Sequence, residues 1–231
     1  MLNTYFIRAR LFPTILTAIP LLLLVNYLFS TYYYKSFEKI FEVLPILAGL
    51  GLSTAFLFLS VQINRIISKE VFQRIYFKEE INMPTTNQLL WSDNFFDNEI
   101  KTKIRAKINV LYGIELMNEH QESSNELASR NKIAMAVSQI RNSLRSNKLL
   151  FQHNIEYGFF RNLLGGALLA VVCSINIIIF AFLRNETILL NSGIILLLIY
   201  SLPIILSKAI MKRFGHYYSK VLYEQFLTLQ L

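Results

Sequence analysis

Cysteine is nearly absent: Cys173 stands alone in 231 residues, so neither an intrachain disulfide nor a cysteine metal cluster can form. Histidine is almost as sparse, and His120, His153 and His216 lie too far apart in sequence to suggest a metal site. No Walker loop, strand-borne GxGxxG, HExxH or GxSxG elbow occurs, and nothing places serine, histidine and acidic side chains together. The chain therefore reads as a non-enzyme without a cofactor. Asp93, Asp97 and Glu99 do cluster, but at a helix start, where acids are expected on dipole grounds. Charge is scarce too, at 16% of residues, and the balance is +8.

What fills the chain is apolar. Hydrophobic residues make up 54% and mean hydropathy is +0.41, too apolar for an ordinary soluble domain. Four stretches reach the roughly 20 residues that a membrane-crossing helix needs: Leu11 to Ser30, Val43 to Ile63, Leu163 to Leu183, and Thr187 to Ser207. The first is too long for a signal peptide and lacks a small-residue cleavage site, so it is kept as an anchor. Short loops join the spans into two hairpins. No strand pattern of useful length appears, and the fold class is all-α: four transmembrane helices with a helical cytoplasmic domain. The divisions are a first hairpin (1–63), a cytoplasmic helical domain (64–162), a second hairpin (163–207) and an amphipathic tail helix (208–231).

Orientation follows from the basic residues. All 23 but Lys35, Lys39 and Arg184 fall at the N-terminus, in the middle segment or in the tail, which puts these three regions in the cytoplasm and the short loops outside. The spans carry no acid or base apart from Lys208 at the inner edge, which disfavours a proton relay or ion-coupled pump. Their polar residues are Asn26, Ser53, Thr54, Ser174, Asn176, Asn191 and Ser192. Each reads either as an interhelical hydrogen bond or as part of a wet pore, with Asn176 and Ser174 the pore candidates. Pro13, Pro20, Pro45 and Pro203 mark kinks or breaks, while Gly49 with Gly51, and Gly165 and Gly166 with Ala170, allow close helix packing.

In the middle segment, Ile63, Ile67, Val71 and Ile75 recur at helical spacing and extend the second span as a stalk. Pro84 ends that helix, and the loop MPTTNQLLWSDN follows with the sole tryptophan, Trp91. Asp97 caps a helix whose stripe is Ile100, Ile104, Ile108 and Leu111, with Lys101, Arg105 and Lys107 elsewhere around it; a second loop closes at Gly113. Ser123 with Glu126 forms a capping-box pattern for the longest cytoplasmic helix, whose buried stripe is Ile133, Val137, Ile140 and Leu144.

From Arg141 to Gly166 that helix runs toward the membrane. Arg141, Arg145 and Lys148 fall at i, i+4 and i+7, presenting three cations on one face, with Arg130 three turns earlier. One reading is a face for lipid headgroups. The other is a phosphate site, with Tyr157 and Phe160 to stack on bases and Arg161 at the water boundary of the third span. Gly158 is the natural hinge if the helix breaks there.

The loop MPTTNQLLWSD (Met83 to Asp93), the segment NIEYGFFRNLLGG (Asn154 to Gly166) and the two-hairpin plan resemble bacterial anti-phage membrane effectors, most of all those of Hailong-type defence systems. The resemblance implies a homo-oligomeric channel, tetrameric in the simplest case, in the bacterial inner membrane. It also implies a nucleotide-derived ligand, close to a short single-stranded deoxyadenylate oligomer, made by a partner nucleotidyltransferase. Such a ligand opens the pore or holds it shut. Two other readings stand beside this one: a non-conducting membrane adaptor that recruits a cytoplasmic partner, and a small-solute transporter, which the missing mid-membrane charge and inverted repeats disfavour.

Overall fold

The computed structural model describes residues 3–28 and 52–229. In chain order the helices are α1 (Thr4–Thr17), α2 (Ile19–Leu28), α3 (Leu52–Ile67), α4 (Pro84–Asn87), α5 (Asn98–Tyr112), α6 (Glu119–Ser124), α7 (Glu126–Ser143), α8 (Lys148–Arg184), α9 (Thr187–Ile205) and α10 (Ser207–Thr228). No strand occurs among the described residues. The expected loop from Thr31 to Glu42, Pro45, Gly49, Gly51 and the start of the second span lie outside the described residues.

The chain divides into two compact units, Met1–Gln73 with Gly158–Lys208, and Arg74–Tyr157 with Ala209–Leu231. These turn over at Gln73 and Tyr157, against 63 and 162 in the sequence reading.

In the first unit, α8 and α9 are each long and apolar enough to cross a membrane, and α1 with α2 makes a third such element bent by 42° at Ala18. The bend has a local cause. Pro20 has no N–H to offer the Leu16 carbonyl one turn back, and the Tyr200 hydroxyl of α9 donates to that carbonyl instead, at 2.5 Å. α3 continues through a π-helical stretch, Ser68–Gln73, into Arg74–Phe77. Its inward face differs from the expected one: Ile63 and Ile75 are exposed, whereas Val61, Asn64, Ser68 and Phe72 are buried. The polar members of that face are satisfied across helices. Asn64 Nδ2 donates to Thr14 Oγ1 at 3.1 Å and Thr17 Oγ1 at 3.4 Å, and Ser68 Oγ donates to Asn162 Oδ1 at 3.2 Å. Asn162 Nδ2 in turn donates to the Ala9 carbonyl at 2.6 Å. Buried polar groups therefore choose the register here, because an apolar surround penalises any other pairing. Gly165 and Gly166 allow the approach, since a Cβ on them would collide with the Asn64 carbonyl and the Thr17 hydroxyl.

The second unit has an apolar core. Ile133, Val137, Ile140 and Leu144 of the expected stripe are all buried, and the tail helix α10 contributes Val221, Leu222, Tyr223 and Phe226. Several local expectations change. Pro84 opens α4 at its first position, where its missing N–H costs nothing, rather than ending a helix; the stalk stops at Phe77, followed by Lys78 at φ 57°. Asp97 is the N-cap residue of α5 but its side chain makes no cap bond, and Gly113 ends that helix in the left-handed region at φ 64°. The following loop contains α6, opened by an Asn118–Gln121 capping box. The Ser123–Glu126 pattern is therefore displaced: Ser123 lies inside α6, and Asn125 caps α7 by accepting from the Ala128 N–H at 3.1 Å.

In α5, Ile104 and Ile108 are buried as expected, but Leu111 is 37% exposed while Lys101 and Arg105 are 1% and 8% exposed. These two cations are drawn in by oxygen. Arg105 meets Glu122 at 3.3 Å, donates to the Met117 carbonyl at 2.6 Å and the Leu89 carbonyl at 2.5 Å, and lies 4.4 Å from the Trp91 ring centroid. Lys101 Nζ donates to the Trp91 and Asp93 carbonyls. Glu122 accepts from the Trp91 N–H at 2.6 Å and the Ser129 hydroxyl at 2.9 Å. Burial holds both Lys101 and Arg105 below their ordinary pKa range, with Glu122 opposing the effect on Arg105. Lys107 closes the unit by donating to the Leu227 carbonyl at 2.9 Å and to the Leu229 carbonyl.

Candidate anion site

The site is built on α7 and on the short segment before and within α4. Ala134, Val137, Ser138 and Arg141 share one face of α7, because they recur at three- and four-residue steps. Against that face lie Ile81, Thr85 and Thr86, leaving an open cavity of about 230 Å³. Its polar lining is two threonines, one serine and one guanidinium.

Each piece is fixed from behind. Arg130, on the same helix, donates to Glu126 Oε1 at 2.8 Å, to the Ile81 carbonyl at 3.2 Å and to Asn87 Oδ1 at 2.5 Å, so it clamps both ends of the Ile81 to Asn87 segment. Tyr223 donates to the Thr85 carbonyl. Burial pushes the Tyr223 hydroxyl far above its ordinary range, against the pull of Arg141 and Arg105, so it stays a donor. Arg141 donates to Thr85 Oγ1 at 3.3 Å and lies 5.8 Å from the Tyr218 ring centroid. Arg141 brings a planar, five-donor guanidinium to the cavity, and hydroxyls of Thr85, Thr86 and Ser138 can donate beside it. That combination suits a phosphate oxygen better than a cation or an apolar guest.

The six ligand-binding candidates from the sequence do not all line this cavity. Arg141 lines the cavity, and Arg130 holds its wall. Arg145 and Lys148 do not share the Arg141 face, a correction with a local cause: α7 ends at Ser143, residues 144–146 turn, and Asn147 restarts the chain as α8 by accepting from the Leu150 N–H at 2.9 Å. Both cations are exposed, and neither lines the cavity. Tyr157 is buried at 8% exposure, so its ring is not offered to a base. Phe160 packs edge-on against Phe159, with ring centroids 5.3 Å apart. Arg161 belongs to the other unit and donates to Gln73 Oε1 at 3.1 Å. Gly158 does not break α8, which runs unbroken from Lys148 to Arg184.

The pore candidates each donate a hydrogen bond within their own helix. Ser174, fully buried, donates to the Ala170 carbonyl at 2.8 Å, and Asn176 donates to the Val172 carbonyl at 2.8 Å. Sequence reasoning ranks the Thr85–Thr86 loop, with Trp91, second, as either a ligand contact or packing beneath the domain, and passes over Ser138. The signal for the first two was their place directly after Pro84, which starts a turn; for Ser138, it was the three-residue step to Arg141.

No protein family, curated protein or solved structure matches the chain.

Proposed function

We propose that this chain is a homo-oligomeric membrane channel effector of a bacterial anti-phage system, gated by a nucleotide or short oligonucleotide at the Arg141 cavity. The observation that carries the reading is the pairing of that cavity, a preformed cationic pocket rich in hydroxyl donors, with spans built to lie in lipid. In this reading the four spans form two hairpins, both termini and the second unit face the cytoplasm, and a partner nucleotidyltransferase supplies the ligand. The resemblance of Met83 to Asp93 and Asn154 to Gly166 to Hailong-type effectors supports the same ligand class.

The cavity size sharpens the ligand. Pockets that bury a drug-sized molecule run about 300–1,000 Å³. At about 230 Å³ this one takes a phosphate or one end of an oligomer, and the remainder lies outside. Ligand occupancy biases the channel only to the extent that its affinity differs between open and closed arrangements. Self-assembly is favoured by apolar side chains left on the second unit, among them Val110 at 69%, Leu127 at 61% and Met135 at 58% exposure.

The adaptor reading has one observation of its own: Ser174, Asn176 and Ser192 each donate a hydrogen bond to a carbonyl of their own helix. Conductance of the purified protein in planar bilayers, with and without a short oligodeoxyadenylate, separates the two. Ligand-dependent current supports the channel, and a bilayer that stays silent under every ligand and voltage supports the adaptor.

A further inference from the structure

Within the first unit, α1, α2, α3 and α8 enclose a cavity of about 70 Å³. Its lining is two-faced: Thr14, Thr17, Ser60 and Asn64 are polar, while Leu21, Ile63 and Leu169 are apolar. Thr14, Thr17 and Asn64 are only 2%, 4% and 4% exposed, so bulk water does not serve their polar atoms.

The hydrogen bonds around the cavity decide what it can receive. The Thr14 hydroxyl donates to the Arg10 carbonyl at 2.9 Å, the Thr17 hydroxyl to the Pro13 carbonyl at 2.8 Å, and the Ser60 hydroxyl to the Phe56 carbonyl at 2.9 Å. A hydroxyl has one proton to give. Thr14 and Thr17 must therefore accept from Asn64, which turns the amide so that Nδ2 faces both, at 3.1 and 3.4 Å. The side-chain donors of the lining are thus committed. Asn64 Oδ1 accepts no hydrogen bond from the described residues, and an acceptor held among apolar groups is costly until a donor reaches it.

A phosphate or carboxylate brings only acceptors and finds no partner here. An ammonium group donates, but it carries a charge that this lining does not solvate. A neutral hydroxyl meets both conditions. Size and access complete the description: a cavity of about 150 Å³ takes benzene, so this smaller one holds a hydroxyl and the first carbons behind it. Leu21 and Ile63 belong to the lining and yet are 42% and 39% exposed, which gives an alkyl chain a way out along them. Gly166, also in the lining, lies within one turn of Leu163, where the apolar stretch of α8 begins. The polar end of an amphiphile meets the surrounding tails at such a depth.

We infer that this cavity binds the hydroxyl end of a neutral alkyl alcohol, free or part of a lipid, with the hydroxyl donating to Asn64 Oδ1 and the chain running out past Leu21 and Ile63. The site is separate from the Arg141 cavity, whose lining lies in the other unit, and it does not depend on the channel reading.

The test places the full chain in phosphatidylcholine nanodiscs and labels it with octan-1-ol carrying a photoreactive diazirine on its chain, the adducts being mapped by mass spectrometry. Adducts are expected on the lining residues of α1, α2, α3 and α8. Octan-1-ol competes with the label about tenfold better than heptyl methyl ether, a chain of equal length that cannot donate, at equal concentration in the bilayer. Asn64→Leu removes that preference. Dioctanoylglycerol, with its one free hydroxyl, competing as octan-1-ol does identifies a lipid hydroxyl as a guest; octan-1-ol competing alone identifies a free alcohol. The inference is overturned if the adducts fall outside the lining, or if the ether competes as well as the alcohol, a comparison that needs no variant to fold. A folded Asn64→Leu chain that keeps the preference also overturns it.

Discussion

The Tyr200 hydroxyl occupies the carbonyl of Leu16 that Pro20 leaves without a donor, at 2.5 Å. One side chain thus repairs a backbone defect in another helix, and a proline bend that would cost an unbonded carbonyl becomes a stable corner. Tyr200→Phe keeps the ring and removes the repair. Because Tyr200 is only 7% exposed, water replaces it poorly, and the expected loss is about 1–3 kcal/mol. The unfolding midpoint in detergent measures it, and an unchanged midpoint refutes the assignment.

The Arg105–Glu122 pair is a stability element. Both side chains are under 10% exposed, at 8% and 5%. Glu122→Ala strands a guanidinium and frees the Trp91 and Ser129 donors, a change of about 3–5 kcal/mol. Since Trp91 is the only tryptophan, its emission reports the loop directly: a red shift below the unfolding temperature is the expected signature.

Tyr223 gives the second unit an alkaline limit. Its folded pKa is raised by burial, so below the ordinary tyrosine value of about 10 both states hold the proton and no stability is lost. Above that value the unfolded chain ionises and the folded one does not, so stability falls by up to about 1.4 kcal/mol per pH unit from this group. Tyr223→Phe loses the bond to the Thr85 carbonyl at neutral pH, yet its disadvantage shrinks steadily above pH 10. Urea unfolding across that range checks the convergence.

Arg141 and Arg145, one turn apart in sequence, are expected to differ sharply. Removing a charged hydrogen-bond partner is worth about 1.5–3 kcal/mol, so Arg141→Gln weakens oligonucleotide binding by at least tenfold in calorimetry. Arg145→Gln, outside the cavity, leaves it within a factor of about two. Equal losses from both would return the site to an undivided basic surface.

The apolar periodicity made much of this architecture readable. The stripe from Ile133 to Leu144 is buried throughout, and the tail packs on it. Periodicity failed where oxygen, not apolarity, sets burial. Lys101 and Arg105 read as surface charges because the backbone carbonyls that receive them, those of Leu89, Trp91 and Asp93 in one loop and of Met117 in another, leave no mark in the sequence as acceptors. The same holds for Asn64 and Ser68, which form the inward face of α3 while the isoleucines beside them point outward. The break between α7 and α8 had a visible sign, the Ser146–Asn147 pair ahead of Lys148, but the spacing of the three cations drew a straight helix through it. Arg141 remained in the site because it precedes that break.

The core of the second unit is assembled from two pieces of chain that are far apart in synthesis. Leu89, Ile104 and Ile133 are made early, but Leu222, Tyr223 and Phe226, which they pack against, follow both α8 and α9. The ribosome therefore delivers the closing helix only after two long apolar helices have emerged and found their place. Until then the early piece waits with an open apolar face, in need of chaperone protection and exposed to proteolysis. Completion of this core therefore requires that α8 and α9 have already been made, and a chain stalled within α9 keeps an open apolar face on its second unit.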